Sequence, residues 1–190
     1  HFMRRFILTS HSHQEGQPID DVEPFALSTD TRSEPSEFEI SFIKDDVRFQ
    51  YGFAVNQTRV IKEYLLAYPK GKAQLWYERS YNPRTNKDDY RFGGKFAGQR
   101  QLWRDATRQN ALFLSTAIQL NNEQLRPVFI WFNLNVIVIG VEGITPNFSI
   151  SECDSDERKK KRVLEFMNSA DIGISGIKVT SLSEEFTRGL

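Results

Sequence analysis

The sequence predicts an α+β fold: an antiparallel β-meander followed by helices and a buried strand. Three observations carry this expectation. Apolar residues alternate with period two from Phe38 onward, turn residues recur at short intervals, and the spacing changes to three and four residues beyond Gly98. The chain has 190 residues, 39% of them hydrophobic and 13% aromatic, which is enough apolar surface for one well-buried core and too much for a disordered chain.

Residues 2–9 read as the tail of an amphipathic helix, with Phe2, Phe6 and Thr9, or Met3 and Ile7, on one side. No capping residue precedes them, so the natural protein is expected to extend further toward its N-terminus. Ser10 to Pro24 is polar and acidic and reads as a surface loop. Phe38, Ile40 and Phe42 then share one face of a strand, with Glu37, Glu39 and Ser41 on the other. Lys44-Asp45-Asp46 makes a turn, and Val47, Phe49, Tyr51 and Phe53 resume the alternation, giving a hairpin. Further strands are expected at Val60–Tyr68, at Ala73–Ser80 and around Tyr90-Arg91-Phe92, with short links that need no crossover.

Leu102, Ala106, Leu112, Leu114 and Ile118 fit helical spacing. Leu125, Val128, Phe129 and Phe132 define a further helix with Pro127 near its start, where a missing N–H is tolerated. Val136–Ile139 is a continuous apolar run, as in a fully buried strand. Asp154-Ser155-Asp156-Glu157 caps a helix through Asn168 with an inner stripe of Val163, Leu164 and Met167. Ile174, Ile177 and Val179 suggest a final strand. The organisation expected is one unit, 1–190: a meander over 37–97, a helical segment over 98–135, and strand, helix and terminal strand over 136–190.

No apolar run approaches the roughly 20 residues a helix needs to cross a bilayer, so no membrane association is expected. Arg4 and Arg5 precede only a short apolar stretch, unlike a secretory signal. The single Cys153 cannot form an internal disulfide and points to a reducing cytoplasm. The zero net charge hides an asymmetry. Residues 14–43 hold eight acids against Arg32, while residues 44–109 hold fourteen Lys or Arg against seven acids.

Motifs for chemistry fail one by one. A phosphate-binding loop needs Gly, four residues and Gly-Lys-Ser/Thr. Gly93-Gly94-Lys95-Phe96 fails at Phe96, and Gly71-Lys72-Ala73 fails likewise. Val136–Ile139 leads to Gly140-Val141-Glu142 rather than to the Asp that holds magnesium in phosphate-loop enzymes. His11-Ser12-His13, with Glu15, has the residue types of a metal site but sits in a polar loop, where solvated imidazoles are the rule. Cys153 has no His near it in sequence for thiol catalysis. Lys159-Lys160-Lys161-Arg162 follows Asp154, Asp156 and Glu157 and reads as a locally neutralised helix face. Arg48, Lys62, Arg79, Arg84 and Arg91 alternate with Phe49, Tyr64, Tyr77, Tyr81 and Tyr90, a pattern that suits a nucleic-acid backbone with stacked bases and equally suits a half-exposed sheet.

Several phrases stand out as a set. Glu34-Pro35-Ser36-Glu37-Phe38-Glu39-Ile40, Arg48-Phe49-Gln50-Tyr51-Gly52-Phe53, Glu63-Tyr64-Leu65 and Tyr68-Pro69-Lys70-Gly71 are similar to the β-rich stretch of bacterial AAA-type ATPases with ABC-like heads. These are relatives of the SMC and overcoming-lysogenization-defect families. Asn110–Ala117, Val128–Phe132 and Ala170–Ile174 look like later landmarks of the same family. The resemblance implies a fragment of an ABC-type ATPase head, lying between the phosphate-binding loop and the signature and acid-bearing strand. It transfers no catalytic or metal-binding residue. It also implies ATP and magnesium as cofactors of the parent protein but none for this chain alone, a homodimer of heads, and a nuclease or other effector partner in antiphage defence. The alternative expectation is a stand-alone module that binds nucleic acid or a protein through the basic-aromatic sheet face.

Overall fold

The computed structural model describes residues 1–20, 22, 34–138, 147–170 and 173–180. It is α+β, and the chain divides into two compact units, 1–137 and 138–190.

The first unit opens with helix α1 (Phe2–Thr9), which continues into a 3-10 turn at Ser10–Ser12. Five strands follow: β1 (Ser36–Lys44), β2 (Val47–Val55), β3 (Val60–Tyr68), β4 (Gln74–Asn82) and β5 (Lys87–Phe92). They form one antiparallel sheet in sequence order, the meander that the alternation predicts. Lys44 pairs with Val47, so β1 and β2 are joined by Asp45 and Asp46 alone, both at positive φ (51° and 60°). Two left-handed residues match the twist of a hairpin, and Asp tolerates that region better than most side chains.

One sheet face forms the core. Phe38, Ile40 and Phe42 of β1 register against Phe53, Tyr51 and Phe49 of β2, then Leu65 of β3 and Tyr77 of β4 continue the layer. Helices α2 (Arg100–Ala106), α3 (Phe113–Gln119) and α4 (Arg126–Leu134) complete the unit. Phe42 stacks on Trp131 at 4.0 Å between ring centres, and Tyr77 meets Phe113 at 4.5 Å, so aromatic contacts join sheet to helices. Arg4 of α1 donates from Nε and Nη2 to the carbonyls of Phe132 and Asn133 (3.1 and 2.9 Å), a cation on the free carbonyls that end α4.

Three expectations change in this unit. The helical spacing from Leu102 to Ile118 is broken, because the backbone at 107–112 bonds elsewhere: Gln109 O accepts from Val60 N (2.8 Å) and Leu112 N donates to Ser10 Oγ (3.0 Å). The stretch after α1 is no simple surface loop. Ser10, Ile19 and Val22 are buried, and Ile19 N donates to Gln57 O at 2.8 Å; Asp21, Glu23 and Pro24 lie outside the described residues. The strand expected at Val136–Ile139 is absent over its described part. Val136 packs partly on the core, but Ile137 and Val138 are 65% and 39% exposed and pair with no strand. An apolar run is buried as a strand only where a partner offers hydrogen bonds.

The second unit contains α5 (Asn147–Ser155), which the sequence did not suggest, and α6 (Glu157–Ser169). Asp156 caps α6 by accepting from Arg158 N at 2.8 Å, as the sequence indicates. Residues 173–180 carry no strand; their alternation of half-buried Ile174, Ile177 and Val179 is present without ladder pairing.

Candidate functional site

The densest polar constellation lies inside the sheet–helix interface and was not anticipated from the sequence. Glu63 of β3 is fully buried. Its carboxylate accepts from the hydroxyls of Tyr51 (3.0 Å) and Tyr77 (2.8 Å) and from the amides of Phe113 (2.6 Å) and Leu114 (3.0 Å). Those amides open α3 and have no intrahelical acceptor, so a strand residue caps a helix remote in sequence. Arg79 of β4, opposite Glu63 in register, is also fully buried. It donates to Asp88 Oδ2 from Nε (3.1 Å) and Nη2 (2.7 Å), and to the carbonyls of Ala111 (2.7 Å) and Arg108 (3.1 Å). Asp88 also holds Arg59 at 2.9 Å, and Arg59 covers the Tyr81 ring at 3.4 Å.

Burial pushes the Glu63 carboxyl up, while Arg79 and the two amides pull it down. Burial likewise raises Tyr51 and Tyr77 well above the ordinary tyrosine value, with the Glu63 charge adding to the effect. The Glu63 carboxylate and the Arg79 guanidinium are closed to solvent, and the Arg79 donors are paired with acceptors. Chemically it fixes α3 and the 107–112 segment onto the sheet and offers no reacting atom.

The outer sheet face carries part of the basic-aromatic set. Arg48 lies over the Tyr68 ring at 3.7 Å, Lys62 stands 5.5 Å from the Tyr64 ring, and Arg91 is paired with Glu78 at 2.6 Å. Tyr64 reaches across Gly52 to Glu39, and Tyr68 donates to Gln50, which donates to Glu39. A Cβ on Gly52 would stand 2.7 Å from the Tyr64 hydroxyl, so glycine is what lets the ring lie down. Arg84 is exposed in the β4–β5 turn. Arg79, Tyr77 and Tyr90 instead face the core. The five cations singled out by alternation therefore do not form one surface: three lie on the outer face, each beside an aromatic ring or an acid, one lies at a turn and one is internal.

The remaining motifs find structural explanations. A side chain at Gly93 would collide with the Leu75 carbonyl, and Phe96 is buried among Trp76, Tyr77, Phe92 and Phe113, so Gly-Gly-Lys-Phe serves packing. Gly71 stands at φ 78° in a turn. His11 Nδ1 lies 3.1 Å from the buried Ser115 hydroxyl, and His13 Nδ1 lies 3.2 Å from the Asn110 carbonyl. Burial and the neighbouring His13 lower the His11 pKa. Among the described residues no group of three His, Cys, Asp or Glu could hold a metal ion. Cys153 is buried and lines an apolar cavity with Ile150, Val163 and Met167. Lys159, Lys160 and Lys161 pair with Glu152, Glu157 and Glu165. Gly140-Val141-Glu142 lies outside the described residues. No described helix is long and apolar enough to cross a membrane.

No family model matches the chain, and no significant match is found among curated proteins or solved structures.

Proposed function

We propose that this chain is an interior segment of an ATP-binding, ABC-type ATPase head, acting in the cytoplasm. ATP and magnesium would be held by flanking sequence, and heads would pair as a homodimer. A role in antiphage defence beside a nuclease or other effector follows from the resemblance. The observation that carries this reading is that its separate phrases meet in space: Glu63, of Glu63-Tyr64-Leu65, caps Phe113 and Leu114 of Asn110–Ala117. Gly52, of the Arg48–Phe53 phrase, makes room for Tyr64. Phrases between residues 48 and 114 thus pack together within the first compact unit, which supports reading them as a set.

The chain's own residues do not fit a nucleotide. Its Gly-Lys pairs lack the following Ser or Thr and are accounted for by packing and turn geometry, so no residue here is assigned to phosphate or magnesium. Isothermal titration of ATP with magnesium into these 190 residues is expected to give no heat above dilution, while the full encoded protein binds in the micromolar range. Micromolar binding by the 190 residues, or a full sequence with no Gly-x-x-x-x-Gly-Lys-Ser/Thr element, overturns the reading.

A further inference from the structure

We propose that one end of the sheet, the end bearing the β1–β2 and β3–β4 turns, docks the phosphate backbone of duplex nucleic acid. The strand register gathers cations there from three turns. Lys44 closes the β1–β2 turn, Arg48 pairs with Tyr68 at the end of β3, and Lys70 and Lys72 occupy the turn that follows. Gly93 N donates to Trp76 O at 3.0 Å, which brings Lys95, two residues on, beside the start of β4. Among the described residues, five cations face two carboxylates at this end, Asp45 and Asp46, and Asp45 is already paired with Lys44 at 2.9 Å. Glu123, in the loop that holds Lys95 through Gln124, is neutralised by Arg126 at 2.7 Å.

What separates this end from the outer face is that three of its four lysines are unspent among the described residues. Lys70, Lys72 and Lys95 are exposed and their ammonium groups make no hydrogen bond or ion pair among the described residues. On the face, by contrast, Lys62 and Arg91 stand beside Tyr64 and Glu78. The aromatic rings nearby are also covered, Tyr68 by Arg48 and Trp76 by contacts with Phe49 and Phe96. Bases of a single strand need an open ring to stack on, whereas a duplex backbone needs only positive charge at intervals. From β1 to β5 the sheet spans roughly 19 Å at about 4.8 Å per strand. That width matches five or six phosphates of one strand at about 3.4 Å each.

The test is fluorescence anisotropy of a labelled duplex of mixed sequence with the nucleotide-free protein across a salt series, so its outcome does not depend on ATP binding. Binding is expected with log K falling against log salt at a slope of about −3. The double variant Lys70→Ala/Lys72→Ala is expected to weaken binding roughly tenfold near 50 mM salt and to flatten the slope by about 2. Arg84→Ala/Lys87→Ala removes the same charge from the opposite end of the sheet and is expected to change affinity less than about twofold. The proposal is overturned by absence of duplex binding at that salt, by equal losses in the two double variants, or by labelled poly-glutamate binding as tightly as the duplex, which would indicate an acidic protein partner.

Discussion

Glu63 in β3 accepts the backbone N–H groups of Phe113 and Leu114, 50 and 51 residues further along the chain, and so closes the first turn of α3. A helix end inside a protein needs such an acceptor, because its free amides cannot reach water. Glu63→Ala leaves two amides and two tyrosine hydroxyls without their acceptor and Arg79 with Asp88 as its one remaining carboxylate. A loss of about 3–5 kcal/mol in denaturant unfolding is expected. Glu63→Gln keeps an oxygen for the amides and is expected to lose less, about 1–3 kcal/mol. Equal stability of the natural protein and the alanine variant would refute this role.

Two arginines with the same standing in the sequence pattern are expected to behave differently. Arg79 is buried with Asp88 and three carbonyls as partners, so Arg79→Ala leaves the buried Glu63 without its neighbouring cation and removes charge-assisted bonds, at a cost of about 3–5 kcal/mol. Arg91 is mostly exposed beside Glu78, and Arg91→Ala is expected to cost less than about 1 kcal/mol. Urea midpoints of the two variants, measured side by side, decide the matter.

Gly52 and Gly93 make a second contrast. At Gly52 an added methyl meets the end of the Tyr64 side chain, which can swing aside at the loss of its bond to Glu39; about 1 kcal/mol is expected for Gly52→Ala. At Gly93 the methyl meets the Leu75 backbone carbonyl, which is held in the sheet and cannot move alone. Gly93→Ala is expected to cost 2 kcal/mol or more, on the order of the overpacking seen in tight cores. Thermal melts that rank the two in the opposite order would count against the geometry.

Alkaline pH should unfold the protein through its buried tyrosines. Tyr51 and Tyr77 are raised well above 10 and Tyr90 is raised as well, each chiefly by burial. Below pH 10 folded and unfolded states both keep these protons, so the contribution to stability is constant. Above it the unfolded chain releases protons that the native state retains, and stability falls by about 1.4 kcal/mol per pH unit for each such tyrosine. Tyrosinate absorbance from these residues should therefore rise together with loss of near-ultraviolet dichroism. Tyr64, pushed up to about 12 by partial burial and by Glu39, titrates later than a free tyrosine without requiring unfolding. Full ionisation of all six tyrosines at pH 11 with dichroism intact would contradict this.

The meander was determined by the sequence itself, because period-two alternation and short turns are local signals: Phe38, Ile40 and Phe42 have a buried face whatever lies above them. The Asp156 cap and Pro127 at the start of α4 are local in the same sense. Only the tertiary structure decided the fate of charges and of breaks. Glu63 and Arg79 sit in alternating strands like any surface pair, and nothing near them in sequence reveals that their acceptors and donors arrive from Asp88 and residues 108–114. The helical spacing through Leu112 yields to those same long-range bonds. Which cations remain free is settled likewise by register, since a lysine in a turn and an arginine facing a glutamate look alike until the strands are paired.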